Sequence, residues 1–561
     1  MSSGAILLPR RSSTPLDEER RRGAIQSLAS RALLVLSILT VIASLRPAMR
    51  WIAIDLFPEV TARTARSGLL LLAIALAILA RGLRRGHRTA WLLSTVALAL
   101  GVILHIVHGT ELLVSLLTAA GAVWLGLQRR AFPVRLTRPS LRRLAAGLVA
   151  VGVLVAGLGL IVFVRNASWH HVLREVDVVL LIVFLIAMAW SLFSPVRTPH
   201  LSAFEHRARR EQARAVVERH GTGSLDWFAL RDDKDWFFSG SSVVAYSARG
   251  GVCMVSPDPI GPPDEREAVW AEMTAYARDL GTSLCVVGAS QDWLPLYEST
   301  GLRTVYLGDE AVVDCAAFTL EGHSHKALRQ AVNRVARGGW TTRLVDPLSL
   351  PEDDRRAIEE MVGQSRRGDT ERGFSMTLSR LFDPDDRGLL MSVTRSPEGR
   401  VDAVCQWVPA RALDGWSLDL MRRRLRDQDG QALDLPNGLI DATIVATIEE
   451  IAARGRRGES GGHALTLNFA VMRDLLEPAA DRPGSALDAA IRPLLRSLSR
   501  TTQMGSLSRF NEKFDPWWMP RYVVLDAPEY VAGQALALAD AEGLTELPVI
   551  GRLLGRAGGA R

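Results

Sequence analysis

Cysteine is scarce in this chain. There are four in 561 residues, Cys253, Cys285, Cys315 and Cys405, widely spaced and never in a CxxC pair. That spacing excludes a disulfide framework and a cysteine metal knuckle, and the four read as buried thiols of a protein in a reducing compartment. None of the eleven histidines falls in an HExxH pattern, so no metal site is expected. A cleavable leader is not expected either, because a long Arg-rich polar segment precedes the first apolar run. Lys and Arg are missing between the third and fourth long apolar runs. No acid stands between Glu321 and Asp346.

Charge divides the chain. Residues 1–199 carry 23 Lys+Arg against 8 Asp+Glu, a net of +15, and the remainder nets −8, so the formal +7 hides two opposite halves. The basic half holds six long apolar runs, at 29–45, 66–83, 89–107, 110–127, 144–164 and 177–194, several close to the ~20 residues that a bilayer needs. Arginines crowd alternate loops: Arg81, Arg84, Arg85 and Arg88, then Arg129, Arg130, Arg135, Arg138, Arg142 and Arg143. With a basic N-terminus and a basic exit at Arg197–Arg210, this bias places both termini in the cytoplasm. His170 and His171 are expected at a membrane edge. The expected domains are a tail at 1–28, a transmembrane bundle at 29–195, a linker at 196–221, a cytosolic α/β domain at 222–541 and a tail at 542–561.

The acidic half alternates strand and helix. Strands are expected at DWFALR, DWFFS, SVVAYSARGGVCMVS (a hairpin through Arg249-Gly250-Gly251), TSLCVVGAS, LRTVYLG, WTTRLV, LLMSVTRS, VDAVCQWVP, WSLDLMR, HALTLNFAV and RYVVLD. Helices are expected at 263–280, near Trp293, and at 324–337, 351–364, 438–454 and 486–498. The order partly recurs, which gives two α/β units of similar plan.

Three elements carry chemistry. In 506–522, SLSRFNEKFDPWWMPRY, Arg509 and Lys513 share a helix face, Pro516 ends the helix, and an aromatic turn leads into a strand. Such a turn aims cations at a phosphate or carboxylate; a solvated helix with an aromatic lid is the alternative. In 324–337, Lys326, Arg329, Asn333 and Arg337 line one face and Leu328, Val332 and Val335 the other. A basic stripe on an acidic domain points to a polyanion, RNA backbone or anionic headgroups, against an ordinary solvated face. In WSLDLMR, alternation sends Asp419 and Met421 one way and Leu420 and Arg422 the other unless the strand ends or bulges. A carboxylate there is either a satisfied structural group or a positioned base. Pro436-Asn437-Gly438 then opens a long helix, after a cluster of Arg422, Arg423, Arg424 and Arg426.

The ordered set LEGHSHKALRQAVNRVARGGW, ERGFSM, SLDLMR…LPNGLIDATIV, LNFAVM and SLSRFNEKFDPWWMPRY resembles the cytosolic domain of the phosphatidylglycerol aminoacyltransferases, the multiple peptide resistance factor family, over most of 222–541. The resemblance implies a tandem acetyltransferase-like (GNAT) fold at the inner leaflet. It also implies transfer of lysine or alanine from aminoacyl-tRNA to phosphatidylglycerol, which would alter membrane surface charge and resistance to cationic peptides. By the family pattern the catalytic set is Asp419, Arg422, Lys513 and Glu371. Arg509, Arg521, Tyr522 and Phe374 bind substrate, and Lys326, Arg329, Arg334 and Arg337 guide the tRNA backbone or the bilayer. Three features depart from the family. An Arg-rich insertion (Arg423–Leu435) precedes Pro-Asn-Gly, Leu378 stands where an aromatic residue is expected, and the membrane part is short, so lipid flipping is not expected. Some actinobacterial relatives append a lysyl-tRNA synthetase; here only a short tail follows Asp526, so charged tRNA is expected from elsewhere.

The expected reaction starts from an activated ester and needs no cofactor. It requires a base or an orienter of the amino group, here Asp419 or Glu371, a donor for the developing oxyanion, and cations for two phosphates, here Arg422 and Lys513. No Ser or Cys stands beside a His in these motifs, which argues against a covalent aminoacyl-enzyme. Two rivals are an acyl-CoA N-acyltransferase of the same fold and a non-catalytic lipid-binding membrane protein. Against the first, the α/β domain at 222–541 lacks a Gln/Arg-x-x-Gly-x-Gly/Ala pyrophosphate loop.

Overall fold

The computed structural model describes residues 15–45, 62–107, 112–133, 201–366, 374–378, 380–427, 431–471, 504–526 and 528–541. The chain divides into two units, one of Met1–Pro199 with Thr274–Ser283 and one of His200–Met273 with Leu284–Arg561. In the first unit, α1 (Pro15–Leu45), α2 (Ala62–Arg84), α3 (Arg88–Val107) and α4 (Leu112–Leu127) take up the first four apolar runs. Leu33, Leu76, Leu79, Leu83, Leu98 and Leu125 pack inward with Phe132. Two polar side chains here donate to backbone carbonyls of neighbouring helices: Ser37 Oγ to Ala73 O at 2.7 Å and Trp91 Nε1 to Leu125 O at 2.7 Å. Leu28, Val35, Ile38, Leu39, Leu116, Leu117 and Val123 face outward, each more than half exposed. Among the described residues, Arg20–Leu39 is long and apolar enough to cross a membrane, and Leu116–Leu127 is a shorter apolar helix. The runs at 144–164 and 177–194 lie outside the described residues, as do the tails 1–14 and 542–561, the helix expected at 486–498 and Glu371.

The second unit is built on one eleven-stranded sheet. In chain order its elements are α5 (Ala203–His220), β1 (Asp235–Ser239), β2 (Ser242–Arg249), β3 (Val252–Val255), α6 (Arg266–Asp279), β4 (Ser283–Ala289), α7 (Leu294–Ser299), β5 (Arg303–Asp314), α8 (Lys326–Arg337), β6 (Thr341–Val345), α9 (Glu352–Arg366), β7 (Leu390–Arg395), β8 (Val401–Ala410), β9 (Gly415–Arg423), α10 (Leu439–Arg456), β10 (Ala464–Val471), α11 (Met504–Asn511), β11 (Trp517–Leu525) and α12 (Pro528–Ala541). The spatial order is β1-β2-β3-β4-β11-β5-β10-β9-β8-β7-β6. The two units expected from the sequence are therefore interlocked. β11, last in the chain, sits between β4 and β5, and β5 of the first half sits between β10 and β11.

Alternation along the strands divides the core. On one face α10 packs Ile444, Val445, Ile448 and Ile451 on Trp407, Leu418, Leu465 and Leu467. On the other, α9 packs Ile358 and Met361 on Met391, Val393, Val404 and Leu420. β9 and β10 run parallel for only three residue pairs, Gly415–Ser417 with Ala464–Thr466, and β10 then continues along β5 alone. Beyond those pairs β9 and β10 part among the described residues.

Three expectations change. DWFALR is a 3-10 turn, Asp226–Leu230, rather than a strand. Trp227 through Leu230 are all buried, so no period-2 face exists, and the Asp226 carboxylate folds the chain back by accepting from the Thr222 and Gly223 N–H groups. The linker assigned to 196–221 is helical over Ala203–His220, closed at its start by a Ser202/Glu205 capping box. Its Arg210 and Arg214 are buried, and both donate to Asp386, at 2.7 and 2.8 Å. The helix in SLSRFNEKF stops at Asp515, left-handed at φ 49°, and Trp517 already belongs to β11 instead of a free aromatic turn.

Candidate active site

Asp419 is the extra residue of a β-bulge: Gln406 pairs with Leu420 and Trp407 with Leu418. Bulges re-aim a side chain, and this one turns Asp419 to the α9 face. There Oδ1 accepts from the Leu378 backbone N–H at 2.7 Å and Oδ2 from Gln406 Nε2 at 2.6 Å. Leu378 follows the turn Phe374–Met376, so the structure brings the segment after that turn to Asp-Leu-Met-Arg. The buried carboxylate thus accepts from a backbone and a side-chain N–H, as a buried acceptor requires.

Lys513 stands on the opposite face, in the 3-10 turn Glu512–Phe514. Its Nζ donates to both oxygens of Asp441, at 2.9 and 3.2 Å, and lies 4.8 Å from the Phe510 ring centroid. Asp441 is in the first turn of α10, where a carboxylate is favoured by the unpaired N–H groups. Gly438 begins that helix at φ 89°, and a Cβ there would stand 2.5 Å from the Ala331 Cβ on α8; glycine lets the two helices meet. Arg334 of α8 donates to Asn437 O at 3.1 Å. The Pro-Asn-Gly, Glu-Lys-Phe and basic-helix motifs thus converge on one helix start. Asp419 lies on β9 past the last of its pairs with β10, on the α9 face, and Lys513 stands on the α10 face.

The remaining predicted residues are dispersed. Arg422 is half-buried and donates to Met421 O. Phe374 is fully buried, with Lys234 Nζ 4.5 Å and Arg249 Cζ 5.9 Å from its ring. Arg509 is exposed, and Tyr522 packs edge-on to Tyr306. Arg521 is 6 % exposed and spans Glu310 and Ser224. It also lines a cavity of about 400 Å³ with Asp226, Asp258, Ser290 and Trp293. Burial there, with Asp258 close by, pushes the Asp226 carboxyl up to about 6. On α8, Lys326, Arg334 and Arg337 are exposed, while half-buried Arg329 is tied to the Leu320 and Gly322 carbonyls. Gln406, Asp441 and Glu310 escaped the sequence reading. Each is a polar residue inside an apolar run, the signal already applied to Asp419.

Residues 214–525 match the family model described as phosphatidylglycerol lysyltransferase, C-terminal. The chain belongs to this family. It is 30 % identical over 521 residues to the lysylphosphatidylglycerol biosynthesis bifunctional protein LysX of Rhodococcus jostii, covering 86 % of this chain and 45 % of that protein. It is 34 % identical over 342 residues to LysX of Mycobacterium tuberculosis, covering 60 % and 28 %. The chain thus spans about half or less of the length of these relatives. Among solved structures, L-PGS from Bacillus licheniformis is 22 % identical with a TM-score of 0.48, covering 59 % of this chain and 96 % of that one. The C-terminal domain of a putative lysylphosphatidylglycerol synthetase from Agrobacterium fabrum is 25 % identical with a TM-score of 0.48, covering 60 % and 96 %. Within this lysyltransferase family, the Arg-rich insertion is a short antiparallel excursion in which Arg426 bridges Ala432 and Leu433 N–H donates to Leu425 O.

Proposed function

We propose that this family member moves an aminoacyl group, lysine or alanine, from aminoacyl-tRNA to phosphatidylglycerol at the cytoplasmic face of the membrane. The observation that carries the reading is the match over 214–525, whose motif residues Asp419 and Lys513 stand on opposite faces of one sheet. In the reaction a lipid hydroxyl attacks the ester carbonyl carbon. The bond to the tRNA ribose oxygen breaks, and the hydroxyl proton ends on that oxygen. Two substrates approaching from opposite faces would meet where β9 and β10 part, without either displacing the other.

In this reading Asp419 orients the amino group or takes the proton, and Lys513 and Arg422 neutralise phosphate. Exposed Lys326, Arg334 and Arg337 give α8 its polyanion-facing stripe. Glu371, next to the Gly-Phe-Ser turn, stays a candidate partner of Asp419. We read the interlocked sheet as two acetyltransferase-like units, and the basic half as a multi-pass membrane domain with cytoplasmic termini. The outward leucines and valines of α1 and α4 support the latter, since lipid-facing helices are apolar outside as well as inside. Lipid extracts of cells with and without the protein, compared by mass spectrometry, test the reading. A new aminoacylated phosphatidylglycerol is expected, and identical lipid profiles would overturn it.

A further inference from the structure

Gln406 is 1 % exposed on β8, and its Oε1 has no hydrogen-bond partner among the described residues. The neighbouring carboxylate fixes which way the amide points. Asp419 accepts only, so Nε2 must face it, at 2.6 Å, while Nε2 also points to Arg380 O at 3.4 Å. Oε1 is left without a donor, directly beside a carboxylate. On the same face of β9, fully buried Ser417 Oγ is also without a partner. Buried acceptors without donors are costly and uncommon, and each calls for a reason.

The chemistry of the pair selects its ligand. A carboxylate and an amide oxygen side by side repel phosphate and other anions. A hydroxyl offers one hydrogen, too few for both. A primary ammonium offers three hydrogens and a positive charge. We propose that Gln406 Oε1 and Asp419 together hold the α-ammonium group of the aminoacyl donor, with Ser417 Oγ beside them. Gln406 then acts twice, fixing Asp419 through Nε2 and binding the substrate through Oε1. The inference rests on the transferase reading for the identity of the donor but not for the presence of an ammonium site.

The test uses the full chain in detergent, with L-alanine methyl ester as the probe and methyl propionate, the same ester without the amine, as the control. Calorimetry is expected to show binding of the amine ester alone, weakened about tenfold or more in Gln406→Met. Gln406→Glu keeps the shape and an acceptor, with a proton shared between it and Asp419 in place of the Nε2–H bond, and is expected to retain amine binding even if the Met variant folds poorly. Equal binding of the two esters by the unaltered chain, or amine binding unchanged in a folded Gln406→Met, would overturn the proposal. Turnover separates the two readings. Amine-selective binding with no transfer from charged tRNA would remove the transferase and leave the site. Transfer with an unchanged KM in Gln406→Met would remove the site and leave the transferase.

Discussion

Asp419→Asn is the substitution that separates chemistry from packing. An asparagine there presents an NH2 toward the Gln406 amide, and Gln406 can turn that amide over so that Oε1 accepts it. The variant is therefore expected to melt within a few degrees of the parent while losing at least about 100-fold in transfer, the lower range for removal of a general base. Lys513→Ala breaks the pair with Asp441 and removes the cation. The double variant should be little worse than either single one, because groups acting as a unit fail together; additive losses in turnover would separate the two residues. Asp226 gives the pH prediction. An acid raised from 3.8 to about 6 on folding binds its proton more tightly in the folded state. Its ionisation therefore costs stability as pH rises from about 4 to about 6, and the cost persists above. Asp226→Asn keeps an oxygen for Thr222 and Gly223 and is expected to raise the melting temperature at pH 7.5, with the gain vanishing near pH 4. Equal melting at both pH values would show that burial does not strain this carboxyl.

At the scale of elements, α8 carries the prediction about tRNA. Lys326, Arg334 and Arg337 are exposed, whereas Arg329 holds the preceding loop through Leu320 and Gly322. Changing Arg329 would confound stability with binding, so the informative variant is Lys326→Glu/Arg334→Glu/Arg337→Glu. If these three meet phosphates, the slope of log K against log salt for charged tRNA should shrink by about two to three, and an unchanged slope would assign the stripe to solvent or to the bilayer. This helix was legible because its apolar residues recur at 3.6 spacing. The strands at DWFFS and SVVAYSAR were legible by their aromatic and β-branched residues and the glycine turns that bound them. DWFALR was not, because a fully buried 3-10 turn and a short buried strand present the same run of apolar letters. Asp419 was legible as a costly group in a strand, but its bulge comes from the register of β8 against β9, which no local pattern encodes. Gln406 shares that fate: its significance appears only when the pairing sets it beside Asp419.

The whole second unit behaves as one piece if the strand exchange is what holds it. β5 has its edges covered by β10 and β11, and β11 reaches back to β4, so cutting the chain between β5 and α8 leaves each half without a neighbour it hydrogen-bonds. A buried polar link crosses the same seam. Glu310 of β5 takes Arg521 of β11 at 2.9 and 2.5 Å, Thr466 of β10 at 2.7 Å and Ser224 at 2.9 Å. Removing one partner of such a pair leaves a buried charge alone, at a cost of about 3–5 kcal/mol. Glu310→Ala in the intact chain is therefore expected to lower the single melting transition of this unit rather than split it in two. Residues 201–322 and 323–541, expressed apart, are expected to show no cooperative unfolding, and to recover it only when produced together. A cooperative transition in either half alone would mean that the two α/β units are independent domains, and that the interlocking of β5 and β11 is an ornament of the fold rather than its fastening.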